Sequence, residues 1–182
     1  MQPGEPHAGE LIGSDRGARA PVAQDLARAW NALAQVMDPE VPVVSVVDLG
    51  IVRDVTWASG HLRVVVSPTY SGCPATDVIE QDIRVALEQA GFAEPRLERQ
   101  LTPAWTTDWI TPQGRERLQA YGIAPPQGQG SKPSLRGEAP RVCCTQCGSA
   151  HTELLSQFGS TACKALYRCL DCREPFDYFK CI

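Results

Sequence analysis

Two C-x-x-C pairs stand in the last quarter of the chain, Cys144 with Cys147 and Cys169 with Cys172. A two-residue spacer lets both thiolates of a pair face one ion, and four thiolates complete a tetrahedral site with no open coordination position. A segment of this size is too small to fold on an apolar core alone, so a metal ion is expected to stabilise it. The spacing therefore predicts a structural zinc ribbon over residues 141–182, although an iron–sulfur cluster also accepts four thiolates.

Three further cysteines lie in the same segment, namely Cys143, Cys163 and Cys181. Cys143 could replace its neighbour Cys144 as a ligand, with a three-residue spacer in place of the usual two. For all three, small apolar packing is preferred to a second metal site, because reduced cysteine behaves as a small hydrophobic side chain. Their roles are left open by spacing alone.

One cysteine stands far from the others, in the stretch PTYSGCPATDVIE at residues 68–80. Pro74 suits the first position of a helix, so Cys73 is predicted to be the N-cap. At that position the free backbone N–H groups and the helix dipole stabilise a thiolate and lower the pKa of the cysteine. A thiolate binds metal or attacks an electrophile, so Cys73 is predicted to be a functional thiol. The alternative is a small buried side chain.

Two carboxylates and three histidines are the remaining candidates for chemistry with Cys73. Asp38 and Glu40 flank Pro39, and a solvated proline turn is the preferred interpretation, with a carboxylate beside the thiol as the alternative. The histidines are His7, His61 and His151. No spacing pairs a histidine with the cysteine, so a Cys–His hydrolase is disfavoured.

Hydrophobic periodicity predicts a small α/β domain from residue 22 to residue 121. Apolar residues recur at three- and four-residue steps over residues 22–37, which indicates a helix that Pro39 ends. Two alternating segments, residues 51–57 and 61–67, are separated by a short turn that contains glycine. This pattern is typical of a β-hairpin.

Three further elements complete that domain. A helical run follows Cys73 and closes at Gly91, a weaker third strand covers residues 95–101, and Thr111 caps a short helix that Gly122 ends. The helices are expected to pack on one face of the sheet. The expected fold class is therefore α+β, a small three-stranded α/β domain followed by a small β zinc-ribbon module.

Amino-acid composition predicts the character of the segments outside these two domains. Residues 122–140 are rich in glycine, proline and small polar residues and predict a flexible linker. Residues 1–21 predict a disordered leader without the apolar core of a signal peptide. No apolar run approaches the roughly 20 residues of a membrane span. Without export, eight cysteines suit a reducing cytoplasm, where close pairs more often bind metal than form disulfides.

The charge balance narrows the classes of partner. Residues 1–121 carry 10 basic and 16 acidic side chains, and residues 141–182 carry 5 basic and 4 acidic ones. Neither part has the basic stripe of a nucleic-acid-binding domain or a polybasic membrane patch. The charge balance therefore disfavours nucleic-acid and membrane partners.

Several stretches carry a resemblance to a known family. MDPEVPVVSVVDLGIVRDV and PTYSGCPA resemble the metal–sulfur cluster assembly domain of SufT-type proteins and of the cytosolic iron–sulfur targeting factors. Together with PAWTTDWITPQGRERLQAYGIAPP and FGSTACKALYRCLDCREPFDYFKC, they make residues 22–182 similar to the PaaD family, also called PaaJ. The resemblance implies that the prominent thiol of the family falls on Cys73 and its acidic turn on Asp38 and Glu40. Its knuckle cysteines match the four C-x-x-C positions, while Thr145 departs from the proline expected there.

The resemblance also implies a function. PaaD-like proteins are accessory proteins of the phenylacetyl-CoA epoxidase system, in which a multicomponent diiron monooxygenase makes the ring 1,2-epoxide during phenylacetate degradation. A non-catalytic maturation factor is expected, assisting delivery of iron or an iron–sulfur cluster through Cys73. The epoxidase subunits and their iron–sulfur reductase would be its partners, with the ribbon as a docking module on a flexible tether. A homodimer would let two Cys73 thiols share one cluster, although no interface is evident.

A second function stays open beside this one. The protein could be an integral oxygenase subunit or an iron–sulfur electron-transfer component of the same complex. The sequence lacks the Glu-x-x-His helices of a diiron site and any flavin or nicotinamide motif. The missing diiron, flavin and nicotinamide motifs disfavour this second function, but they do not bear on electron transfer through an iron–sulfur centre.

Overall fold

The computed structural model describes residues 23–70, 72–126 and 141–180. The predicted leader, residues 127–140 of the predicted linker, and Cys181 lie outside these residues. The described part contains three α-helices and seven strands in two sheets. No helix within it is long and apolar enough to cross a membrane.

Two amphipathic helices supply much of the core. Helix α1 spans Ala23–Leu33 and helix α2 spans Thr76–Gln89. Residues three and four positions apart share a helix face, and these faces point inward. The fully buried side chains on them are Ala29, Leu33, Ile83 and Leu87. Helix α1 ends four residues before the predicted end, because the backbone of Met37 forms a β-bridge with Ser45 instead.

The first sheet has the order β1-β2-β3. Strands β1 (Val52–Ala58) and β2 (His61–Val66) form the predicted antiparallel hairpin. Ser59 and Gly60 both have positive φ at its turn, the conformation that matches the twist of a tight hairpin. Strand β3 (Arg96–Arg99) lies parallel to β2, since α2 provides the crossover between them.

Helix α3 spans Pro112–Tyr121 and has the predicted caps. The hydroxyl of Thr111 accepts a hydrogen bond of 3.0 Å from the N–H of Gly114. Gly122 adopts the left-handed conformation at φ +95° and closes the helix. The sequence prediction for this helix is confirmed at both ends.

Helix α3 holds the Val-Asp-Leu-Gly turn that precedes β1. The buried carboxylate of Asp48 accepts a 2.7 Å hydrogen bond from the guanidinium of Arg117. Gly50 adopts φ +66°, and a Cβ there would lie 2.5 Å from the backbone oxygen of Trp109. Two stretches far apart in sequence are therefore parts of one packed unit, and the glycine is required by both its φ and the close backbone approach.

The second sheet is the ribbon, with the strand order β4-β7-β6-β5. Strands β5 (Thr152–Ser156), β6 (Lys164–Cys169) and β7 (Pro175–Phe179) form an antiparallel meander. Strand β4 (Ile123–Ala124) pairs in parallel with β7. The start of the predicted linker is thus the edge strand of the ribbon sheet.

The ribbon packs directly on the α/β domain. Phe179 is 1% exposed and belongs to the same apolar cluster as Leu33 and Ile83 of the helices. Its ring lies edge-on to Trp105, with centroids 6.2 Å apart. Cys163 is buried in this cluster as well. These contacts differ from the expectation of a ribbon that moves freely on a tether, because a shared core fixes the two parts together.

Candidate functional site

The four knuckle cysteines form one tight cluster. Their Sγ atoms all lie within 4.8 Å of one another. The Sγ atoms of Cys144 and Cys172 are 3.6 Å apart, and so are those of Cys147 and Cys169. Four sulfurs around one zinc ion at about 2.3 Å would be separated by about 3.8 Å. The donor set therefore fits zinc, and Cys144 rather than Cys143 belongs to it.

Backbone geometry prepares these sulfurs for a metal ion. The N–H of Gln146 points to the Sγ of Cys144 at 3.4 Å, and the N–H of Cys172 to that of Cys169 at 3.5 Å. The latter contact lowers the pKa of the Cys169 thiol to about 7, which favours the thiolate that zinc requires, whereas desolvation and the neighbouring thiols raise the pKa of Cys172 to about 12. Gly148 takes φ +75° at the first knuckle, as its turn demands. This is a closed, structural zinc site, which ties β6 to the start of the ribbon.

Cys73 lies just before α2, and its local structure corrects the sequence prediction. Regular helix begins at Thr76, with Ala75 at the N-cap, so Cys73 is not the N-cap residue. The segment after Pro74 winds more tightly, and both the N–H and the hydroxyl of Thr76 donate to the carbonyl oxygen of Cys73, at 3.2 and 2.9 Å. The thiol remains partly exposed.

The acidic turn lies beside this thiol. One carboxylate oxygen of Asp38 accepts 2.9 Å hydrogen bonds from the N–H groups of Glu40 and Val41. Asp38 is 8% exposed, so the preferred interpretation as a solvated turn is wrong for this residue. Asp38 and Glu40 instead line the same cleft as Cys73. The alternative interpretation, a carboxylate beside the thiol, describes the structure better.

A second thiol from the ribbon completes the wall of this cleft. Cys163 lies immediately before β6, and its Sγ is 3.6 Å from the Oε2 atom of Glu40. The sequence analysis preferred apolar packing for Cys163, and the side chain is indeed buried in the shared core. Its place in the cleft was missed because 123 positions separate it from Glu40. No spacing pattern carries a signal across that distance.

The electrostatics of the cleft oppose negative charge on its thiols. Burial raises the pKa of Cys73, and the carboxylates of Glu40 and Asp38 raise it further. This overturns the predicted lowering, because burial outweighs the hydrogen bonds from the backbone of Ala75 and from Thr76. Burial likewise raises the pKa of Cys163 to about 11. A cation in the cleft would reverse this balance for both thiols.

The two histidines in the described residues lie elsewhere. His61 begins β2 and does not line the cleft. The Nδ1 atom of His151 is 3.1 Å from a carboxylate oxygen of Asp171, beside the zinc knuckles. The structure therefore brings Cys73 together with carboxylates and a second thiol rather than with an imidazole base.

Comparison with known families matches both halves of the chain. Residues 26–91 match the family described as iron-sulfur cluster assembly protein, and residues 128–180 match the PaaD zinc beta ribbon domain. The fold and the site thus define an iron–sulfur assembly domain joined to a zinc ribbon. A relative from Escherichia coli, named provisionally as one of the subunits of 1,2-phenylacetyl-CoA epoxidase, is 54% identical over 153 residues, 84% of this chain and 91% of the relative. The chain belongs to the PaaD family.

Two further proteins are similar to the chain over about half of its length. A protein from Porphyromonas gingivalis named Fe-S protein maturation auxiliary factor is 35% identical over 81 residues, 43% of this chain and 76% of the relative. A crystal structure of a DUF59 domain from Bacillus anthracis is 24% identical with a TM-score of 0.49, covering 52% of this chain and 92% of that chain. Membership of an iron–sulfur assembly family supports an accessory role in maturation.

Proposed function

We propose that this protein is a non-catalytic maturation factor for a phenylacetyl-CoA epoxidase system, and that it passes iron or an iron–sulfur cluster to its client through Cys73. The name of the Escherichia coli relative supports the epoxidase system as the client. The family of the first domain, and the name of the Porphyromonas gingivalis relative, support iron–sulfur maturation as the task.

The observation that carries the proposal is the partly exposed thiol of Cys73 in a cleft beside Asp38 and Glu40. A cargo ligand must be reachable by donor and client, and it must release the metal as well as bind it. Thiolates bind iron well, and carboxylates suit harder cations. A cleft with both donor types and a partly exposed thiol meets these requirements.

The zinc ribbon has a different role in this proposal. Its four thiolates leave no coordination position open, so its zinc ion is a structural element. The ribbon packs its Phe179 into the core of the assembly domain and places one wall of the cleft. In this proposal the zinc ion stabilises the ribbon that borders the transfer site, but it is not itself transferred.

The second candidate is an integral oxygenase component or an electron-transfer component of the epoxidase. The name of the Escherichia coli relative favours it, because that name describes a part of the epoxidase itself. An electron-transfer role requires a redox-active centre, which the knuckle cysteines would hold. Metal and acid-labile sulfide analysis of protein purified without oxygen separates the two. One zinc per chain without iron or sulfide supports the maturation factor, whereas stoichiometric iron and sulfide supports electron transfer.

Replacement of the thiol tests the proposed function in cells. Cys73→Ala is expected to lower the epoxidase activity and the iron content of the purified epoxidase components at least tenfold. The zinc content of the variant should stay normal, because Cys73 lies outside the knuckles. Cys143→Ala is the matched control, since Cys143 is half-buried and belongs to neither site. Normal client iron and activity with Cys73→Ala would exclude transfer through this thiol.

A further inference from the structure

We infer that Cys163 of the ribbon is a second cargo ligand, so that Cys73, Cys163 and Glu40 bind a single divalent metal ion between the assembly domain and the ribbon. This inference rests on the proposed function and specifies its site. It assigns the ribbon a direct share in binding the cargo, in addition to the structural role of its zinc ion.

The backbone holds Cys163 toward the cleft. Its carbonyl oxygen accepts a 3.0 Å hydrogen bond from the N–H of Lys180, next to β7. Its Sγ lies 3.1 Å from the hydroxyl of Thr161 and 3.6 Å from the carboxylate of Glu40. A cysteine that only fills the core would be surrounded by carbon atoms, whereas this sulfur has two polar neighbours and faces a shared cleft.

The charges around the cleft favour a cation. Within the described part of the chain, neither Asp38 nor Glu40 takes part in an ion pair, while Glu80 at the same cleft is paired with Arg99 at 2.7 Å. The nearby Lys164 ammonium lies 3.6 Å from Asp177 instead. Lys164 is still close enough to lower the pKa of Asp38, although burial raises that pKa overall. Two carboxylates outside any close ion pair, one of them 8% exposed, beside two thiols make a donor set that a divalent metal ion would neutralise.

The number of thiols in the cleft favours one ion over an assembled cluster. The cleft is lined by two thiols, Cys73 and Cys163, whereas the common iron–sulfur clusters are held by four thiolates. Sulfur donors with a carboxylate suit a first-row ion such as iron(II), because thiolates select softer metals and carboxylates accept harder ones. The inferred cargo is therefore a mononuclear divalent ion.

The arrangement of donors also differs from that of a resident metal site. Among the described residues, only the knuckle cysteines form a group whose ligand atoms all lie within 4.8 Å of one another. The cleft donors must converge by side-chain rotation, which the half-buried Cys73 and Glu40 permit. A site that is completed only on binding suits an ion that is taken up and passed on.

Cobalt(II) is the probe for the test, because its thiolate complexes show a charge-transfer absorption that scales with the number of sulfur ligands. The full-length, zinc-loaded protein is titrated without oxygen, and retention of zinc is verified by elemental analysis. One cobalt ion per chain is expected. Cys73→Ser and Cys163→Ser should each lose about half of the charge-transfer intensity and bind at least tenfold more weakly. Cys143→Ser, the matched control, should behave as the wild type.

A measurement on the wild-type protein keeps the test decisive even if the Cys163 variant misfolds. X-ray absorption at the cobalt edge should count two sulfur ligands per cobalt ion, and one sulfur would overturn the inference. If Cys163→Ser binds cobalt like the wild type while Cys73→Ser does not, the inference fails and the proposed function stands. If neither variant changes binding, the cleft is no metal site and the route through Cys73 fails with it.

Discussion

The zinc knuckles and the cleft both bring cysteines together. They differ in how far apart those cysteines lie in the sequence and in how closely their sulfur atoms are gathered. The knuckles bring four thiols within 4.8 Å of one another from two short C-x-x-C turns. The cleft brings Cys73 and Cys163 to one surface from two domains and sets them among carboxylates. The knuckle thiols shift in opposite directions, since the N–H of Cys172 lowers the pKa of Cys169 to about 7 while desolvation and the neighbouring thiols raise that of Cys172 to about 12, whereas burial raises the pKa of both cleft thiols.

Under the proposed function, this difference separates a resident metal in the knuckles from a transient one in the cleft. A preformed set of four thiolates binds zinc tightly and has no position for exchange. A partly exposed, loosely gathered set that lacks a cation binds an ion only by rearrangement. The comparison predicts that substitution of a cleft ligand leaves zinc in the knuckles, whereas loss of a knuckle ligand also disturbs the cleft, because Cys163 and Phe179 belong to the ribbon.

Loss of a knuckle thiol is expected to have the largest effect. Cys169→Ala should abolish stoichiometric zinc binding and unfold the ribbon, because structural zinc contributes on the order of 10 kcal/mol to folding of such modules. The assembly domain should lose stability too, since Phe179 leaves its core. Elemental analysis and thermal unfolding by circular dichroism measure both effects. Cys143→Ala should retain zinc, and normal zinc in Cys169→Ala would disprove the four-thiolate assignment.

Truncation of a side chain in the shared core is expected to have the second-largest effect. Phe179→Ala should lower the free energy of unfolding by about 3–5 kcal/mol, the usual cost of truncating a buried phenylalanine, without loss of zinc. Urea unfolding measures this change. Phe158→Ala is the control, because that side chain is 63% exposed and should cost less than about 0.5 kcal/mol. Equal costs for the two variants would mean that the ribbon does not share the core.

The charge of the cleft predicts a smaller, chemical effect. A raised pKa keeps the Cys73 thiol protonated near neutral pH, so its alkylation by iodoacetamide should accelerate as pH rises toward that pKa. The carboxylates of Glu40 and Asp38 both raise this pKa, so Glu40→Gln should lower it and speed alkylation of the metal-free protein a few-fold at pH 8.

The control for this experiment is Glu80→Gln, which removes another carboxylate of the cleft. Glu80 is paired with Arg99, so its loss should leave the alkylation rate of Cys73 unchanged. Mass spectrometry of the modified peptide gives both rates. Slower alkylation in Glu40→Gln would contradict the sign of the predicted effect.

The smallest effect is expected at the ribbon surface. Glu153 pairs with Arg168 across β5 and β6, and both side chains are more than a third exposed. Glu153→Gln should therefore change the free energy of unfolding by less than about 1 kcal/mol and leave zinc binding intact. A loss above about 2 kcal/mol would show that the sheet, and not the zinc ion alone, limits the stability of the ribbon.

Short-range sequence patterns correctly predicted the elements whose structure depends mainly on interactions between neighbouring residues. The hairpin at Ser59 and Gly60 follows from turn chemistry, and α3 follows from its caps at Thr111 and Gly122. Local prediction was less accurate at the start of α2. There the predicted N-cap at Cys73 is displaced to Ala75, because the first turn winds more tightly than a regular helix.

The sequence by itself determined the fold class and the four-cysteine zinc site, because two-residue cysteine spacers and hydrophobic periodicities act over a few residues. Only the tertiary structure decided that the ribbon packs on the assembly domain, that Asp38 is buried, and that Cys163 faces Glu40. These contacts join residues more than a hundred positions apart or depend on burial by other elements. Burial also decided the sign of the pKa shift at Cys73, since desolvation outweighs the local hydrogen bonds that the sequence made visible.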